Sequence, residues 1–203
     1  MNILLIHGLG RTPLSMWPVS KALQAAGHTT ELFGYTTVIQ SFDDIAQRLR
    51  DHLQSLSSEG PYGIVSHSMG GVLTRAALAD ATFPLPAHVV MLAPPIQSPL
   101  SGRLAHRLPP FRWFAGQSVD NLASRDFYTR LPALSCPYTL VAGTLGPVGA
   151  WSPFDNVPND LIVGLEEVKM QPGDKVVTVA ALHSFIMNNA KVQNVTVQAF
   201  AKE

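Results

Sequence analysis

The stretch YGIVSHSMGG, residues 62–71, decides the reading of this chain. It begins as a short apolar strand and runs without a linker into a hydroxyl, a methionine and two glycines. The following residues, MGGVLTRAALAD, have the pattern of a helix. An ordinary strand-to-helix turn does not need side chains removed where the helix begins. A sharp turn that lifts one residue out of the backbone does, because strand and helix then approach closely two residues on either side of it. Gly70 meets that need after Ser68, and the small Ser66 meets it before. Ser68 is therefore expected at the tip of the turn, poised as a nucleophile. The helix that follows aims backbone N–H groups at developing negative charge. A serine capping an ordinary helix is the plainer alternative, but strand, turn and helix all favour the nucleophile.

The segments around this turn repeat one alternation. NILLIH (2–7), TTELFGY (29–35), YGIVSHS (62–68), HVVMLAPP (88–95), YTLVAGT (138–144) and KVVTVAAL (175–182) read as strands. Helical patterns separate them at 15–28, 41–56 and 69–80, and a last helix is expected over 191–202. Ser41 with Asp44 marks a capped helix start, and Phe42, Ile45, Leu49, Leu53 and Leu56 share one face. Strands that are apolar throughout and alternate with helices imply a mostly parallel sheet covered on both faces. The expected fold class is α/β, a three-layer α/β/α sandwich with about six strands. Right-handed crossovers then put the functional loops at the carboxyl ends of the strands.

Composition agrees with one packed domain over 1–203. Hydrophobic residues make up 46% of the chain and charged residues 14%, which argues against disorder. Basic and acidic residues balance at 14 each, which disfavours nucleic acid as a partner. Cys136 is the single cysteine, so neither an internal disulfide nor a cysteine metal cage is expected. The opening MNILLIHGLG lacks the basic and long apolar regions of an export signal, so a cytoplasmic location is expected. Two stretches interrupt the alternation: 96–131, and the Gly- and Pro-rich 145–160. Long loops in compact domains are commonly functional. In 96–131, Leu100, Leu104 and Leu108 recur at helical spacing beside Arg103 and Arg107, followed by Phe111, Trp113 and Phe114. Two readings stand for it. One is a small cap with an apolar inner face and a basic rim for an anionic head group or membrane surface. The other is a helical excursion packed on the core.

The remaining chemistry is sought at the carboxyl edge. A serine needs a neighbouring base, and seven histidines compete: His7, His28, His52, His67, His88, His106 and His183. His183 directly follows the last strand, in ALHSFIM, and is the best placed; His7 and His67 flank turns and are expected to hydrogen-bond loops in place. The acid that orients the base is sought after the fifth strand, where Asp155 and Asp160 compete. Asp160 is preferred because it precedes LIVGLEEV, which reads as a strand edge leading into a short helix. An oxyanion site needs two donors. Met69 N–H supplies one, and HGLG (7–10) supplies the other through the Leu9 N–H, with Gly8 and Gly10 making the tight turn.

With HGLG, SHSMGG, NDLIV and LHSFIM in chain order, the sequence resembles the α/β-hydrolase superfamily over residues 2–190. It is most similar to small bacterial lipases and esterases that lack the first strands and any large lid domain. The resemblance implies Ser68 as nucleophile, Asp160 as acid, His183 as base and the Leu9 and Met69 amides as oxyanion donors, in the chain order Ser, Asp, His. It implies carboxylic ester hydrolysis through an acyl-enzyme on a small-molecule ester or lipid, with no metal or organic cofactor; peripheral membrane contact is the expectation of the cap reading of 96–131. A thioesterase or acyltransferase, and a hydrolase-like binding module without turnover, are the alternatives, because fold does not fix function.

Overall fold

In the computed structural model, which describes residues 1–79, 81–97 and 124–201, six strands form one sheet. They are β1 (Asn2–Ile6), β2 (Thr29–Phe33), β3 (Tyr62–His67), β4 (His88–Leu92), β5 (Tyr138–Gly143) and β6 (Val176–Val179). The order across the sheet is β2-β1-β3-β4-β5-β6, and every pairing is parallel. The helices are α1 (Trp17–Ala25), α2 (Phe42–Ser58), α3 (Met69–Leu78), α4 (Arg125–Thr129) and α5 (Ala190–Ala199). The expected three-layer α/β/α architecture is what the chain adopts.

Alternation along the central strands sorts the core into two clusters. Leu4, Ile6, Ile64, Val89 and Met91 face α2 and α3, whereas Ile3, Leu5, Val65, Val90 and Leu92 face α1 and α5. Each central strand is apolar throughout because both of its faces are covered. The helix boundaries follow local chemistry. Ser41 Oγ accepts from the Asp44 N–H and caps α2, and Phe42, Ile45, Leu49, Leu53 and Leu56 are its buried face. The segment expected as one helix over 15–28 divides, with a 3-10 turn over Pro13–Met16 feeding α1. It closes on Gly27 at φ 86°, where the His28 N–H returns to the Leu23 carbonyl.

The segment after Asp160 departs from expectation. Residues 161–164 form no strand; Asn159 and Gly164 meet in an isolated antiparallel bridge, and a 3-10 turn follows over Leu165–Val168. The cause is two adjacent side chains that capture the backbone. Asn159 Oδ1 accepts from the Leu161 N–H, and Asp160 Oδ1 accepts from the N–H groups of Ile162 and Val163. Amides held this way are not available to a ladder. Strand β6 also ends three residues earlier than its apolar run, at Val179, and the Ala181 N–H turns back to the Val179 carbonyl.

Most of the 96–131 excursion, residues 98–123, lies outside the described residues, and with it Phe111, Trp113 and the proposed cap. Its two ends are described, and one side chain joins them. Arg75 of α3 is 4% exposed and donates Nη1–H to the Ile96 carbonyl, Nη2–H to that of Leu131 and Nε–H to that of Pro132. A guanidinium suits this task because its donors diverge in a rigid plane. Replacing Arg75 by Met strands three carbonyls, so we expect it to lower the unfolding free energy by roughly 3 kcal/mol. Arg75→Lys should recover only a minor part of that loss. Urea unfolding of the three proteins measures both effects, and equal midpoints for wild type and Arg75→Met would disprove the role.

Candidate active site

Ser68 stands at the reversal between β3 and α3 with φ 51° and ψ −121°. A non-glycine residue there costs of order 1–3 kcal/mol, so the surroundings must hold it. They do so by hydrogen bonds on both sides of the turn: Ser68 N–H donates to the Leu92 carbonyl at the end of β4, and Gly71 N–H donates to the Ser68 carbonyl. The reason for glycine at position 70 is close approach. A Cβ on Gly70 would lie 2.7 Å from the backbone oxygens of both Ile6 and His7. The first turn of α3 therefore rests directly on the carboxyl end of β1.

The loop after β6 brings His183 to this turn. His183 Nε2 lies 2.8 Å from Ser68 Oγ, and His183 Nδ1 lies 2.8 Å from Asp160 Oδ2. A carboxylate oxygen accepts, so Nδ1 carries the proton and Nε2 is left to accept from the serine hydroxyl. Asp160 is 1% exposed and holds its neighbour twice, since its carbonyl also accepts from the His183 N–H. Three donors converge on its carboxylate: His183 Nδ1–H and the amides of Ile162 and Val163. Asn159, fully buried, braces the same loop through Nδ2 donated to the carbonyls of Pro147 and Val157. Asp155, the alternative acid, is exposed in the preceding loop, and it is Asp160 that meets His183.

The HGLG loop lies against the serine. A Cβ on Gly8 would come within 3.1 Å of Ser68 Cβ and 2.8 Å of His67 Nδ1. Gly10 adopts φ 65°, and the Arg11 N–H closes the turn on the Gly8 carbonyl. The Leu9 amide has no protein acceptor among the described residues. The Met69 amide opens α3 and so has no acceptor within the helix.

Two further histidines hold these loops, as their places beside the turns suggested. His7 donates Nδ1–H to the Gly8 carbonyl, stacks on Tyr35 at 4.1 Å and accepts from the Tyr35 N–H. Tyr35 returns a hydrogen bond from its hydroxyl to the His7 carbonyl. His67 reaches the His183 carbonyl with Nε2 at 3.1 Å. Burial lowers the pKa of His7, and lowers that of His67 well below the ordinary value of 6.5. The supporting groups that sequence reasoning passed over are Asn159, Arg11 and Tyr35. Arg11 donates Nη2–H to the Ser184 carbonyl. Only Asn159, beside the candidate acid, carried a local signal, an Asx residue in a loop.

Comparison with known proteins agrees with this arrangement at the level of the fold. No curated protein matches the chain. Among solved structures, a lipase from Bacillus licheniformis, BlEst2 in its mature form, is 20% identical, with 98% of this chain and 89% of that one covered at a TM-score of 0.64. The lin2722 product of Listeria innocua is 17% identical, with 100% and 94% covered at a TM-score of 0.63. The RedJ thioesterase of Streptomyces coelicolor is 13% identical, with 98% and 88% covered at a TM-score of 0.62. A family model described as the alpha/beta hydrolase family matches residues 3–193. Nearly the whole chain carries that match, and the protein belongs to the alpha/beta hydrolase family.

Proposed function

We propose that this protein is a serine hydrolase that cleaves carboxylic esters through an acyl-enzyme. The observation that carries the reading is the unbroken chain from Ser68 Oγ through the His183 ring to Asp160, with 2.8 Å at each link. In the proposed reaction Ser68 Oγ attacks the ester carbonyl as His183 Nε2 takes its proton. Asp160 stabilises the resulting imidazolium through Nδ1–H. The oxyanion is received by the amides of Leu9 and Met69. Collapse expels the alcohol, which takes the proton from His183. Water then repeats the sequence on the acyl-enzyme and releases the acid and Ser68.

The surroundings support an apolar acyl group. Leu14, Ile39, Trp151 and Phe185 are all more than half exposed, and they follow β1, β2, β5 and β6. They therefore lie on loops at the same edge of the sheet as Ser68. Apolar side chains in the connections at that edge would favour an apolar acyl group over a charged one. Among the described residues no helix is long and apolar enough to cross a membrane.

Ser68→Ala should reduce ester turnover by at least roughly 10³-fold and abolish labelling by a fluorophosphonate probe, with unfolding unchanged or slightly harder. Turnover near wild type in that variant would remove Ser68 from the reaction. A panel of p-nitrophenyl esters of rising chain length, with matched thioesters, tests the substrate class; a clear preference for the thioesters would replace the esterase reading with a thioesterase.

Asp160→Asn keeps shape but loses charge, and should cost up to roughly 10⁴-fold in kcat, whereas Asp155→Asn should leave kcat close to wild type. The opposite ranking would move the acid to Asp155. His183→Ala should remove most of the rate, and turnover near wild type in that variant would exclude His183 as the base.

A further inference from the structure

His67 is a buried ionisable group beside the site to which the reaction above gives no task. It ends β3, directly before Ser68, and is 1% exposed. Its ring centroid lies 4.9 Å from that of His183. A main-chain carbonyl accepts and never donates, so the 3.1 Å contact with the His183 carbonyl fixes the proton on His67 Nε2. His67 Nδ1 then carries only a lone pair. It is buried without a hydrogen-bond partner among the described residues, on the side where a Gly8 side chain would stand. A second proton has no acceptor there among the described residues. It would also add a cation beside Arg11 and His7 and beside the ring that becomes an imidazolium during turnover. Burial, reinforced by His183, correspondingly pushes the His67 pKa down. The ring is thus a neutral donor of defined tautomer, wedged between the HGLG loop and the base loop.

The base loop is held at the next residue as well. Arg11, from the loop after β1, donates to the Ser184 carbonyl. Consecutive carbonyls, 183 and 184, are therefore gripped from the strand that carries the nucleophile and from the loop that carries the oxyanion donor. Such a grip matters because the His183 ring must stay aligned with Ser68 and Asp160 while it gains and returns a proton. A misplacement of about 1 Å at such a ring costs up to about 10²-fold in rate.

We propose that His67 is a positioning residue for the reaction, its Nε2–H holding the His183 main chain in register so that the His183 ring bridges Ser68 and Asp160. The proposal rests on the reading of Ser68 as nucleophile and His183 as base. It assigns His67 no contact with substrate.

Three substitutions test it. His67→Gln places a carboxamide N–H near the position of Nε2; His67→Asn is too short to reach; His67→Phe keeps the ring without a donor. For each, kcat and KM are measured on a p-nitrophenyl ester, together with the rate of fluorophosphonate labelling and the urea unfolding midpoint. We expect kcat and the labelling rate to fall about tenfold or more in His67→Phe and His67→Asn, with KM within about twofold of wild type. His67→Gln should recover most of the loss. Equal impairment of Gln and Phe, or a change confined to KM, would reduce His67 to a packing role and overturn the proposal. If His67→Phe does not fold, the contrast between Gln and Asn decides. Labelling of wild type that persists in Ser68→Ala would defeat the nucleophile reading, and this inference with it. Labelling that depends on Ser68 but runs at the wild-type rate in His67→Phe would defeat this inference alone.

Discussion

No methyl group fits between the first turn of α3 and the end of β1. The carbonyls of Ile6 and His7 occupy the space where a Gly70 side chain would be, and the geometry of the site descends from that contact. Because α3 is pressed onto β1, the chain must reverse at Ser68 within one residue, and the left-handed φ at that residue is the result. The same contact brings the HGLG loop against the serine, since that loop continues directly from β1. One close approach between a helix and a strand thus determines where the serine hydroxyl stands and which loop lies against it. The strain is offset by hydrogen bonds to β4 and within the turn, so it is a property of the sheet rather than of a local loop.

The second organising feature is the way the loop after β5 and the loop after β6 interlock. Asp160 binds His183 through both its side chain and its main chain. Asp160 lies in no strand or helix and His183 opens a 3-10 turn (His183–Asn188) rather than extending β6, so side chains supply the rigidity that a ladder would otherwise provide. Asn159 and Asp160 spend their oxygens on three successive amides, and Arg11 and His67 hold the carbonyls of residues 183 and 184. Buried groups satisfied in this way have few alternative arrangements, because each alternative would leave a donor or acceptor unpaired.

Much of this was readable in the sequence, and the parts that were not share a cause. The strands declared themselves because a sheet covered on both faces demands continuous apolar runs, as in YGIVSH. The turn at Ser68 declared itself because backbone proximity excludes side chains, and glycine is the visible trace of that exclusion. His183 stood out because it directly follows a strand. The stretch after Asp160 was misread as a strand edge because LIV has the composition of a strand. The adjacent Asn and Asp overrode that preference by capturing the amides themselves. The partners of Arg75, Arg11 and His67 were hidden for a different reason. Each side chain meets carbonyls far away in the chain, and a carbonyl is the same in every residue, so it leaves no mark in the sequence. An arginine amid the apolar residues of MGGVLTRAALAD was the one local hint of such a contact.

That arginine has a consequence for the chain beyond α3. By holding the carbonyls of Ile96, Leu131 and Pro132, Arg75 fixes both ends of the intervening excursion to one point on α3. The separation of the ends is then independent of what lies between them. The helix that begins at Ser68 thereby serves as a fixed socket for both ends of that excursion, so the footing of the excursion on the sheet is set by one side chain rather than by the residues between its ends.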